Sequence, residues 1–116
     1  MNLQLPLPMI THYSGPRIVA QEVLAGIRSY RDAVRTCHRL RTRKNLSLRL
    51  LAEEAGLYPS HVSDYLSEHA TKRELPAKHI AAFEVACGNR VISQWMARQA
   101  NLTILEQYIE QQRMAA

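Results

Sequence analysis

Apolar residues return every three or four positions through most of the chain, so its elements read as helices. The clearest case is SLRLLAEEAGLYPSHVSDYLS, from Ser47 to Ser67. Leu48, Leu51, Ala52 and Ala55 share one helix face, and Gly56 ends the run as a left-handed residue just past a helix would. Leu57 follows as an apolar plug, and Pro59 suits the first position of a new helix. Val62, Tyr65 and Leu66 form the inward face of that second helix, which leaves Ser60, Ser63, Asp64 and Ser67 outward with His61 on the flank. Tyr58 stands where a Ser or Thr cap is expected. Either Ser60 supplies the missing oxygen or the helix begins one residue off. Small residues at the crossing let the two helices approach closely, as in a helix-turn-helix, and the alternative is a helical hairpin that only packs.

Upstream, Val19, Val23, Ile27, Tyr30, Val34 and Cys37 predict one long helix from Arg17 to about Arg41, with Gly26 as a point where it can divide. Arg28, Arg31, Arg35 and Arg39 form a second stripe nearly opposite, pointed away from the core. Ser47 is the expected cap of the next helix, with Leu46 and Leu51 as a hydrophobic staple.

Downstream, Glu68 to Leu75 is a polar connector. Pro76 opens a helix to Cys87 with Ile80, Phe83 and Cys87 inward, and Gly88-Asn89 stops it. Val91 to Ala100 predicts another helix with Ile92, Trp95 and Met96 inward, ended at Asn101-Leu102. Thr103 and Glu106 read as a capping box for a last helix to about Arg113. Its strip of Ile104, Leu105, Tyr108 and Ile109 either docks back on the body or mediates self-association. In Met1 to Pro16, Leu3, Leu5 and Leu7 alternate around Pro6 and Pro8, which fits an extended arm or a leader without structure.

The expected fold is all-α: a compact domain of five or six helices with a central helix-turn-helix. Residues 1–16 form an arm or leader, 17–100 the domain, and 101–116 a C-terminal helix available for oligomerisation. Its 116 residues suit one small domain, with 47% hydrophobic and 22% charged residues as in a soluble globular chain. Two isolated cysteines argue against a disulfide framework and for a reducing cytoplasm. No apolar run approaches a membrane span.

Charge changes the picture more than composition does. The net charge is +5, yet Arg28 to Arg49 alone holds eight Lys/Arg against one acid, Asp32. Such a segment beside a helix-turn-helix suits phosphate neutralisation. Arg43, Lys44, Ser47, Arg49, Lys72 and Arg73 flank the hairpin as phosphate-binding candidates, and Ser60, His61, Ser63, Asp64 and Ser67 as base-reading ones. The second helix carries no Arg, Gln or Asn for strong bidentate base contacts, so shape or half-site spacing has to add specificity. Six neutralised phosphates predict a log–log salt slope of about −5.

His12, His38, His61, His69 and His79 stand in no zinc spacing, and no phosphate loop or nucleophile elbow is present, so no enzyme, cofactor or metal is expected.

Ala52, Gly56, Leu57, Val62 and the Tyr65-Leu66 pair resemble the helix-turn-helix of lambda-repressor/Cro-type regulators. ELPAKHIAAFEVACGNRVISQWMARQANLTILEQ looks like the region after the hairpin in phage and prophage regulators of the CII-like group, where a helix ending Cys-Gly-Asn precedes a Trp-containing one. The resemblance covers about Leu46 to Gln107. It implies a bacterial or phage transcription regulator, repressor or activator, that binds a double-stranded operator as a homo-oligomer. A dimer is the default and a tetramer the CII-like option, with RNA polymerase as a further partner. The alternative is a protein-interaction module or prophage growth inhibitor built on the same fold.

Overall fold

The computed structural model describes residues 15–115, apart from the side chain of Leu102; residues 1–14 of the expected arm lie outside it. Among the described residues six helices follow one another: α1 (Gln21–Ala25), α2 (Tyr30–Arg39), α3 (Leu48–Ala55), α4 (Pro59–Tyr65), α5 (Ile80–Cys87) and α6 (Val91–Ala115). A short 3-10 turn, Ala77–His79, leads into α5. The described residues contain no strand; Arg17 and Asn89 form an isolated bridge that ties the chain before α1 to the α5–α6 corner. No helix among them is long and apolar enough to cross a membrane.

Helix α2 is central. It packs on α4, α5 and α6, while α3 lies against both α4 and α5. Val34, Cys37, Leu51, Val62, Phe83, Val91 and Ile92 are fully buried where these helices meet. The α3 start is as expected: the Ser47 hydroxyl accepts from the Leu50 N–H at 3.0 Å, and Leu46 and Leu51 are both buried beside it. Gly56 adopts φ 72°, the left-handed conformation that closes α3. Gly88 adopts φ 84° after α5, and a Cβ there would lie 2.2 Å from the Thr42 hydroxyl oxygen. The α2–α3 loop can press on this corner only because position 88 lacks a side chain.

Several expectations need correction. The single helix from Arg17 to Arg41 is two, and the break is fixed at Ser29 rather than by Gly26 alone. Ser29 is extended, with φ −152°, and its hydroxyl caps α2 by accepting from the Asp32 N–H at 3.1 Å. Leu48 is 40% exposed and Met96 42%, so neither belongs to the core. The break at Asn101-Leu102 does not exist, and α6 runs unbroken for 25 residues. Residues 96–107 contain no Gly or Pro and are mostly strong helix formers. The Thr103 hydroxyl donates back to the Gln99 carbonyl at 3.1 Å, as a helix-interior threonine does, instead of capping a new start.

Two polar clamps hold the helices. Glu84 on α5 is fully buried; its carboxylate accepts from the Ser93 N–H at 2.7 Å and the Ser93 hydroxyl at 2.6 Å, and pairs with Arg90 at 3.2 Å. It therefore caps the start of α6 from the neighbouring helix. Tyr30 on α2 donates to the Leu75 carbonyl at 2.7 Å and pins the far end of the connector. Burial, with the negative charges of Glu74 and Glu84, pushes the Tyr30 hydroxyl up to about 12. Cys37 and Cys87 are free and buried, and their thiols meet in the core. The hydrogen bond to Cys87, then burial, drives the Cys37 pKa far up, so this thiol is no nucleophile at neutral pH.

Candidate nucleic-acid interface

The turn Gly56–Tyr58 brings α4 across α3. Pro59 occupies the first turn of α4, where its missing N–H breaks no bond. Tyr58 precedes it in extended conformation and caps nothing with its side chain. Ser60 does not replace it; its carbonyl accepts from the Ser63 hydroxyl at 3.3 Å. Val62 and Tyr65 face inward, and this turns Ser60 and Ser63 to solvent. At about 100° per residue, one helix cannot bury the first pair without exposing the second.

The remaining base-reading candidates are less free. Asp64 is half-buried and pairs with Arg73 at 3.4 Å. The Ser67 hydroxyl accepts from the His69 N–H at 3.1 Å. His61 lies edge-on between the rings of Tyr58 and Tyr65, with centroids 5.0 and 6.3 Å away. That contact orients Tyr58, which is 71% exposed at the leading end of α4. Tyr58 is a candidate that pattern reading missed; the only signal for it was a large aromatic where a small cap was expected.

Arg31 is the larger surprise. It belongs to the stripe expected to point away from the core, yet it is only 6% exposed. Its guanidinium reaches under α4 and donates to the carbonyls of Asp64 at 2.8 Å, Ser67 at 3.3 Å and Arg73 at 3.3 Å, and to that of Lys72. The last carbonyls of a helix lack intrahelical partners and carry the negative end of its dipole. A cation in that place closes α4 and fastens the connector that bears Lys72 and Arg73. Apolar periodicity cannot register this, because the acceptors are backbone atoms more than thirty residues away.

The phosphate-binding candidates divide accordingly. Lys44, Arg49 and Lys72 are exposed, and their side chains make no hydrogen bond or ion pair among the described residues. Ser47 caps α3. Arg73 pairs with Asp64, so these two candidates are coupled. Arg43 is drawn elsewhere: it forms a two-pronged pair with Glu54 at 2.6 and 2.9 Å and lines a groove with Arg17, Val85 and Arg90. The Glu54 carboxyl is held below its ordinary range by that guanidinium. The structure thus brings Lys72 and Arg73 to the end of α4 and ties Arg43 to α3.

On α6, Ile104, Leu105, Tyr108 and Ile109 are 62%, 53%, 58% and 54% exposed, so this strip does not dock on the body. Among the described residues no His, Cys, Asp and Glu cluster could hold a metal ion. No protein-family model, curated protein or solved structure matches this chain.

Proposed function

We propose that this chain is a double-stranded-DNA-binding transcriptional regulator of phage or prophage type, in which α3 and α4 act as a helix-turn-helix and α4 enters the major groove. The observation that carries the proposal is the α4 surface itself. Ser60 and Ser63 lie open beside Tyr58, and the connector that bears Lys72 and Arg73, fastened by Arg31, follows at the other end. Short polar side chains on a small helix, with cations at its margin, suit a helix that enters a groove between two phosphate ridges. The resemblance of Ala52, Gly56, Leu57, Val62 and Tyr65-Leu66 to lambda-repressor/Cro regulators supports the same assignment.

With Arg43 held by Glu54, the cations left for phosphates are Lys44, Arg49 and Lys72, joined by Arg73 once the duplex draws it from Asp64. The salt slope is then near −4 rather than −5, so affinity falls roughly 10²-fold between 50 and 200 mM salt. Fluorescence anisotropy on a duplex enriched from random DNA checks this. Arg49→Ala should weaken all sequences alike and reduce the slope by about 1. Ser63→Ala should alter the enriched sequence, and Asp64→Ala, by releasing Arg73, should raise affinity for unrelated duplexes. A flat salt response sinks the assignment, and retention of one protein partner with no duplex shift would favour an interaction module.

The regulator works as a homo-oligomer, a dimer by default, joined through the exposed strip of α6. Four large apolar side chains on a projecting helix favour association. Sedimentation should give a dimer that Ile104→Asp with Ile109→Asp converts to monomer without loss of helicity. Unchanged mass in that double variant would exclude the strip as the interface.

A further inference from the structure

With Arg31 turned inward, Arg35 and Arg39 remain of the arginine stripe on α2. Arg35, Arg39 and His38 on α2 and Arg41 in the following turn surround a cleft of about 340 Å³, closed by Asp32 and Leu66. Three guanidinium groups and an imidazole thus meet one carboxylate. That carboxylate is engaged, because Asp32 accepts from the Arg28 N–H at 3.2 Å. Among the described residues the only side-chain partner of Arg35 is Glu68 at 3.2 Å, an acid 76% exposed, and pairs of this kind are weak and easily exchanged. Arg39 makes no hydrogen bond or ion pair among the described residues. Arg41 donates to the His38 carbonyl at 3.1 Å, and its buried Nε–H finds no acceptor among the described residues. The cleft therefore gathers more positive charge and donor capacity than the protein uses.

We propose that this cleft binds a small polyphosphate, pyrophosphate or the phosphate tail of a nucleotide, gripped by Arg35, Arg39 and Arg41. Guanidinium forks match phosphate oxygens in pairs, and several of them in a recess favour a compact polyanion. The concave shape distinguishes it from duplex phosphates, which stand on a convex ridge and meet exposed cations such as Lys72. To reach Arg35 the anion displaces Glu68. Leu66 and Glu68 directly follow α4, so occupancy is felt at the end of the helix assigned above to DNA.

The test uses the full chain and pyrophosphate, with titration calorimetry at constant ionic strength and no DNA present, so it does not depend on whether α4 reads a duplex. Binding should saturate, and Arg39→Gln should weaken it about tenfold, the value of one charge-assisted bond. Lys78→Ala, which removes an exposed charge outside the cleft, should leave it unchanged. The His38 ring supplies a second readout. Its pKa is lowered by burial and by the Arg41 charge, and an anion in the cleft should raise it in an NMR titration. Two results overturn the proposal: no saturation, or equal weakening by both variants.

Discussion

Arg31→Met should lower folding stability by about 3 kcal/mol or more, a large part of what holds a domain of this size together. Methionine keeps the stem and removes the charge, so packing along α2 survives while the carbonyls of Asp64, Ser67, Lys72 and Arg73 lose their common donor. Backbone carbonyls closed off by the fold cannot all recover water, and the dipole of α4 loses its counter-charge. Arg31→Lys should fall between wild type and Met, since one ammonium cannot span four acceptors as a planar fork does. Urea denaturation followed by circular dichroism measures the difference through the midpoint. A shift of Arg31→Met smaller than about 0.5 kcal/mol would mean that the clamp is not a structural element.

The second large effect is expected at Glu84. Glu84→Ala should lower stability by about 2–4 kcal/mol, because it deletes a buried side chain and leaves the first turn of α6 without its acceptor. For a chain of this length that corresponds to a melting temperature roughly 10 °C lower. Glu84→Gln keeps the shape but turns an amide donor toward the Ser93 N–H or toward Arg90, so about half the loss should remain. Calorimetry on both variants checks the order. Equal melting temperatures for Ala and wild type would show that the α6 start is held by apolar packing of Val91 and Ile92 alone.

Both residues mark where the sequence stopped being readable. Periodicity located α3 and α4 and their buried faces because that information is local: small and aliphatic residues at helical spacing, a glycine at the turn, a proline at the first turn. It located α5 and its glycine stop in the same way. It misassigned Arg31, since a long cation beside an apolar stripe looks solvated until the chain folds a helix end over it. It passed over Glu84, which lies between Phe83 and Val85 and looks like an ordinary surface acid. It broke α6 at Asn101 because a Thr–Glu spacing imitates a helix start, although helix formers on both sides carry the turn through. In the candidate interface, Ser60 and Ser63 were readable as outward. The engagement of Arg43 by Glu54 and of Asp64 by Arg73 was not, because nothing in the spacing says which of several neighbouring acids a guanidinium will choose.

The unbroken course of α6 sets a phase. Each residue inserted near Ala100 would lengthen the rod by about 1.5 Å and swing everything beyond it by about 100° about its axis. A flexible joint at Asn101 would absorb such an insertion; a continuous helix transmits it whole. The azimuth of Tyr108 relative to the body is therefore a fixed property of the chain, and only insertions near a whole number of turns return it to register.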